Sequence, residues 1–147
     1  MYADAAAQIA WQMLVDAPAK PGGLTVQRVL LEELLPQDAD EADLPLVAVY
    51  LAEDIPTQSM DGLSNRVATL QVEIRTLIAD GQTRLSATRP FRAWALRTLL
   101  PNQELDSGID QAEFVAFKPF GVPGNHRLAG ALLELTVPFF FDPEDPE

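Results

Sequence analysis

The stretch NRVATLQVEIRTLIA, Asn65 to Ala79, constrains the fold more than any other segment. Ala68, Leu70, Val72, Ile74, Thr76 and Ile78 share one parity, and Thr69, Gln71, Glu73 and Arg75 share the other. That alternation suits a strand with one face on a core and one face in water. A helix is the rival, because Val67, Leu70, Ile74, Leu77 and Ile78 also fit a 3.6-residue stripe that Ser64 could cap. The β-branched residues Val67, Thr69, Val72, Ile74, Thr76 and Ile78 decide for a strand, since their restricted χ1 fits a pleated surface better. A half-buried strand needs partners for its ladder and a layer over its apolar face. The predicted architecture is therefore α/β (α+β), a mixed or antiparallel sheet of about four to five strands flanked by an N-terminal and a central helix.

The rest of the chain supplies those elements. Ala3 to Ala17 is alanine-rich and halts at Pro18, which predicts a helix. Leu24 to Leu35 leans towards a strand, with a short helix as the alternative, and 37–43 is an acidic loop. Leu46 to Leu51 is a buried strand opened by Pro45, followed by a polar loop over Glu53 to Ser64 that carries the Asp61-Gly62 turn pair. Thr88 to Leu100 has Pro90 in its first turn, a Phe91, Trp94, Ala95 and Leu99 stripe, and Pro101 as its stop. Asn102 to Ile109 is a loop and Glu113 to Phe120 a strand. GVPGNHR, Gly121 to Arg127, is a turn, and Leu128 to Phe141 alternates as a last strand whose Pro138 belongs at or beyond a sheet edge. Residues 1–141 make one domain, and the acidic DPEDPE of 142–147 is expected to be disordered.

Charge bounds the partners. The net charge of −12 repels phosphate backbones, so specific nucleic-acid binding is not expected. No apolar run approaches the ~18 to 20 residues of a membrane span. The N-terminus lacks the basic start and apolar block of a signal peptide. The charges are segregated: 32–61 holds nine acids and no Lys or Arg, among them Asp38, Asp40, Glu41, Asp43, Glu53 and Asp54. By contrast, 81–103 holds Arg84, Arg89, Arg92 and Arg97 and no acid. The bland explanation is two solvated faces. The sharper one is complementary surfaces for copies of the same chain.

No constellation for catalysis emerges. The chain has no cysteine and one histidine, His126, in a Gly/Pro context where a surface loop residue is expected. No serine sits in a GxSxG elbow. Asp106, Asp110 and Glu113 lack the ligand alternation and central glycine of a calcium loop. The letters DEAD at 40–43 come without a phosphate-binding loop. No cofactor, no metal and no enzymatic activity are expected.

LPLVAVYLAED (Leu44 to Asp54), then a polar loop and NRVATLQVEIRTL (Asn65 to Leu77), with a helix before them and a helix and two strands after, resembles the tail terminator proteins of long-tailed bacteriophages, the lambda-type minor tail protein family. The resemblance covers most of the chain and rests on pattern and element order. It implies a non-enzymatic virion protein, assembled in the host cytoplasm, that forms a hexameric ring on the tail tube protein. Such a ring halts tube polymerisation and presents a joining surface to the head-completion protein. Head-tail connectors and tail-completion proteins are similar small α/β assembly proteins and form the alternative. A small carboxylate-dependent hydrolase and a peptide-binding module built on the 53–64 loop are the rivals of other classes. A ring needs two different complementary faces on each subunit. The acidic residues above and Arg84, Arg89, Arg92 and Arg97 are the expected interface.

Overall fold

The computed structural model describes residues 3–34, 41–60, 63–102, 108–122 and 125–141. Its element order is α1 (Ala3–Asp16), β1 (Val29–Leu30), β2 (Leu46–Met60), β3 (Leu63–Leu77), α2 (Arg84–Leu99), β4 (Glu113–Val122) and β5 (Asn125–Phe141). The strands form one five-stranded sheet in the order β1-β2-β3-β5-β4. β1 pairs parallel to β2 and every other pairing is antiparallel. This is the expected mixed sheet with an N-terminal and a central helix.

The alternation in β3 decides its position in the sheet. With β2 on one side and β5 on the other, β3 is an interior strand, and Ala68, Leu70, Val72 and Ile74 are wholly buried beneath the helices. α1 lies mainly over β2, and α2 over β3 and β5 and out towards β4. In α1, Ala6, Ala7, Ala10 and Leu14 recur at helical spacing and are buried. The small side chains of the three alanines let the helix backbone approach the sheet closely. Lys20 Nζ donates to the carbonyls of Val15 (2.7 Å) and Ala17 (2.6 Å), satisfying groups that the end of the helix leaves without partners. Val47 and Val49 of β2, Leu133 and Leu135 of β5, and Phe91, Trp94, Ala95 and Leu99 of α2 complete this core.

Several boundaries depart from expectation. The segment 24–35 is a strand only at Val29–Leu30. A 3₁₀ turn precedes it, and the chain then bends so that Leu34 packs on Leu46 and Ala48, on the sheet face away from the helices. The polar stretch 53–60, expected as loop, continues β2 out to Met60, and β3 resumes at Leu63; the connecting residues 61 and 62 lie outside the described set. Its polar composition is irrelevant to backbone pairing: β3 ladders to β2 on one side and to β5 as far as Ser64↔Phe141 on the other. Because β4 begins level with Thr136, these three strands project past the rest of the sheet. Pro138 lies on that projection, where β5 has become an edge, as its missing N–H predicts.

α2 begins at Arg84, a turn before the predicted Thr88. Thr83 caps it in a reciprocal box, with Ser86 N donating to Thr83 Oγ1 (3.1 Å) and Thr83 N donating to Ser86 Oγ (2.8 Å). Pro90 therefore lies inside the helix, on its exposed side. The predicted turn over 121–127 shrinks as well: β4 runs to Val122 and β5 opens at Asn125, which puts His126 and Arg127 in a strand, both exposed. The acidic tail 142–147 lies outside the described residues.

Candidate interaction surfaces

The arginines of α2 do different things. Arg84, in its first turn, rests its guanidinium on the backbone of Gly121, so that a Cβ there would come within 2.7 Å of it. Arg92 is half-buried and lies over the rings of Phe117 (4.6 Å) and Phe114 (5.8 Å) of β4, within cation–π range. Arg89 and Arg97 are exposed. Leu85, Arg89 and Arg92 stand at i, i+4 and i+7, one stripe of the helix, and the Arg92 contacts turn that stripe towards β4. On β4 itself a bulge between Phe114 and Ala116 leaves Val115 without a cross-strand partner. Phe114 and Val115 are exposed, as is Leu85.

The acidic group is only partly visible. Asp38 and Asp40 lie outside the described residues, as do the side chains of Glu53 and Asp54, whose backbones pair with Thr69 and Ala68 in β2–β3. Glu41 and Asp43 form a 3₁₀ turn before β2. Glu41 Oε2 reaches Arg127 Nη1 at 3.3 Å, and Asp43 is exposed. Among the described residues, no ion pair joins the acidic group to the four α2 arginines. Among the described residues the two groups lie apart, the α2 arginines towards β4 and Glu41 and Asp43 beside the starts of β2 and β5.

Beside β1 the surface is recessed. Leu30, Leu34 and Leu46 form an apolar lining, and Gln27, Arg28, Glu32 and Asp43 line the same hollow of about 450 Å³. Arg28 Nη2 donates to the Ala42 carbonyl at 3.1 Å, while its Nη1 is buried without a partner.

A further set of residues escaped the sequence reading. The parity of β3 expected to be wet carries Glu73 and Arg75, and both are buried. Arg75 Nε donates to Glu73 Oε2 at 2.6 Å, and Tyr50 Oη donates to Glu73 Oε1 at 3.3 Å. Burial and the Glu73 charge push the Tyr50 hydroxyl well above its ordinary value, so it remains a donor. Further along the same face, Glu134 of β5 accepts from Gln71 (3.2 Å) and from Lys118 (2.8 Å), and the Lys118 hydrogen bond holds its carboxyl below the usual glutamate range. The signal for the buried pair was present: opposite charges at i and i+2 of a strand share a face and can reach each other. The Lys118–Glu134 contact depends on strand register and left no local trace.

Among the described residues no group of three or more potential metal ligands converges, and no helix is long and apolar enough to cross a membrane. Compared with known proteins, the sequence matches no family model and no curated protein.

Proposed function

We propose that the chain is a structural assembly protein whose copies join head to tail into a ring that caps a phage tail tube, stops its polymerisation and offers the surface for head joining. The observation that carries this reading is the separation of charge. The α2 arginines and the described acids before β2, Glu41 and Asp43, occupy different parts of the fold, and among the described residues they do not neutralise each other. A closed cyclic assembly uses two unlike surfaces per subunit, and opposite charges on them set register and partner choice. The order of helix, long paired strands, central helix and two closing strands is in keeping with the resemblance to tail terminators. The negative charge supports a second role, keeping a DNA-conducting lumen from binding phosphate, with screening limiting the repulsion to about 8–10 Å.

The deciding experiment is electron microscopy of particles lacking this chain. Over-long, unregulated tubes without heads are the expected result. Tails of normal length beside unjoined heads would make the chain a connector, and normal infectious particles would remove the assembly role altogether.

A further inference from the structure

We infer that Phe114 and Val115 on the β4 edge of one copy seat in the recess beside β1 of the next, with Arg92 meeting the Glu32 and Asp43 rim. This interface deepens the ring reading and rests on it for its head-to-tail sense.

β1 and β4 are the two lateral edges of the sheet, so surfaces on them face away from each other. Each edge carries large apolar side chains in water: Leu85, Phe114 and Val115 at β4, and Val26 and Leu31 flanking β1. Exposed apolar side chains at both edges, adjacent in the case of Phe114 and Val115, offer contact sites. Their polar surroundings are opposite in sign. Arg89 and Arg92 accompany the β4 edge, whereas Glu32, Glu33 and Asp43 are exposed around β1.

The shapes are unlike, as a heterologous contact requires. At the β4 edge the bulge leaves Val115 unpaired beside Phe114, and both side chains stand in water. The β1 edge is hollow, with leucines lining it and carboxylates beside them. Extension of the sheet across the contact is disfavoured, because the same bulge and Pro119 interrupt β4 as a pairing edge. Side chains entering a recess need no such ladder.

The test is the mass of the purified full chain by sedimentation or light scattering as concentration is raised. Wild type is expected to self-associate. Phe114→Asp and Val115→Asp should each weaken association by roughly 30-fold or more, the scale of an interface hot spot. Melting curves show whether either variant is folded, and Val115, which lies outside the Arg92 contact, serves if Phe114→Asp is not. A variant carrying Glu32→Arg and Asp43→Arg should be blocked at the other edge only. Mixed with Val115→Asp it should give a 1:1 dimer that grows no further, since each partner keeps one working edge; adding Arg92→Glu to the recess variant should restore self-association. A monomeric wild type, edge variants that associate like wild type, or a mixture that forms no dimer would each overturn the interface. Failure here is separable from failure of the terminator reading: tail length in particles lacking the chain judges that reading alone.

Discussion

Ile74 and Arg75 are neighbours in β3, one facing the helices and the other facing away, and both are almost wholly excluded from water. The first is buried as expected, among Leu70, Val72, Leu133 and Phe91 in an apolar layer. The second is buried with its charge. Register sets Arg75 between Leu46 and Gly130, and Glu73 between Ala48 and Leu132, so the neighbours of both are apolar or small. Glu73 is satisfied by Arg75 on one oxygen and by Tyr50 on the other. One face thus gains stability from apolar area removed from water, while the other holds polar groups whose stability depends on each keeping its partner.

That difference gives the largest expected effect. Arg75→Met leaves the Glu73 carboxylate buried without its cation and should destabilise the fold by about 3–5 kcal/mol in denaturant titration. Replacing both, Glu73→Leu with Arg75→Met, should recover most of that loss, because an apolar pair of similar volume needs no partners. A single-variant loss below about 1 kcal/mol would mean that the pair is solvated and the two faces are alike. On the helix face, Leu133→Ala should cost about 2–5 kcal/mol from lost transfer energy and the cavity left behind. No second substitution of opposite polarity should rescue it, and one that did would erase the distinction between the faces.

The helix face was legible in the sequence because its physics is local. Parity in Asn65–Ala79, the alanine stripe of α1 and the Phe91, Trp94, Ala95 and Leu99 spacing of α2 each report one buried side without reference to any other element. The second face was not, because a polar residue on a strand reads as wet unless the sequence also says what covers it. Leu34 reaches Leu46 and Ala48 only because the chain turns back after the two residues of β1. The boundary of α2 was missed for a related reason: Pro90 suggested a first turn, whereas the Thr83–Ser86 box, lying outside the apolar stripe, sets the start. Of the expected interface, the helix spacing puts Arg92, with Arg89 and Arg97, on the outward face. Arg89 and Arg97 are exposed, but Arg92 is half-buried over Phe117, and that contact and the one between Arg84 and Gly121 follow from pairing β4 to β5.

Gly130 sharpens the contrast within the second face. It lies opposite Phe120, and a Cβ built on it would collide with that ring. Gly130→Ala must displace the ring, at the strand position paired with Arg75. Overpacking of this kind typically costs about 1–3 kcal/mol. Phe120→Leu in the same background should return part of the loss by clearing the space. If Gly130→Ala melts like wild type, the ring does not rest there in solution.

The smallest effect is expected at the open end of the same face, where Lys118 is exposed and Glu134 is held by it and by Gln71. The Glu134 carboxyl is lowered first by the Lys118 hydrogen bond, against a smaller opposing effect of burial. A folded-state pKa below the unfolded one means that the unfolded chain binds more protons between the two values. Its contribution is therefore present above the ordinary glutamate range and is lost as pH falls through the lowered value. Lys118→Ala should flatten that acid limb of the stability curve while changing stability at neutral pH by less than about 1 kcal/mol, as solvent screening dictates for an exposed pair. The Gln71 hydrogen bond should preserve part of the limb, and Gln71→Ala combined with Lys118→Ala should remove the rest. An unchanged limb in the double variant would show that Glu134 titrates as a free surface acid. The same pairing of carboxylate and cation would then matter only where Leu34 and its neighbours keep water away.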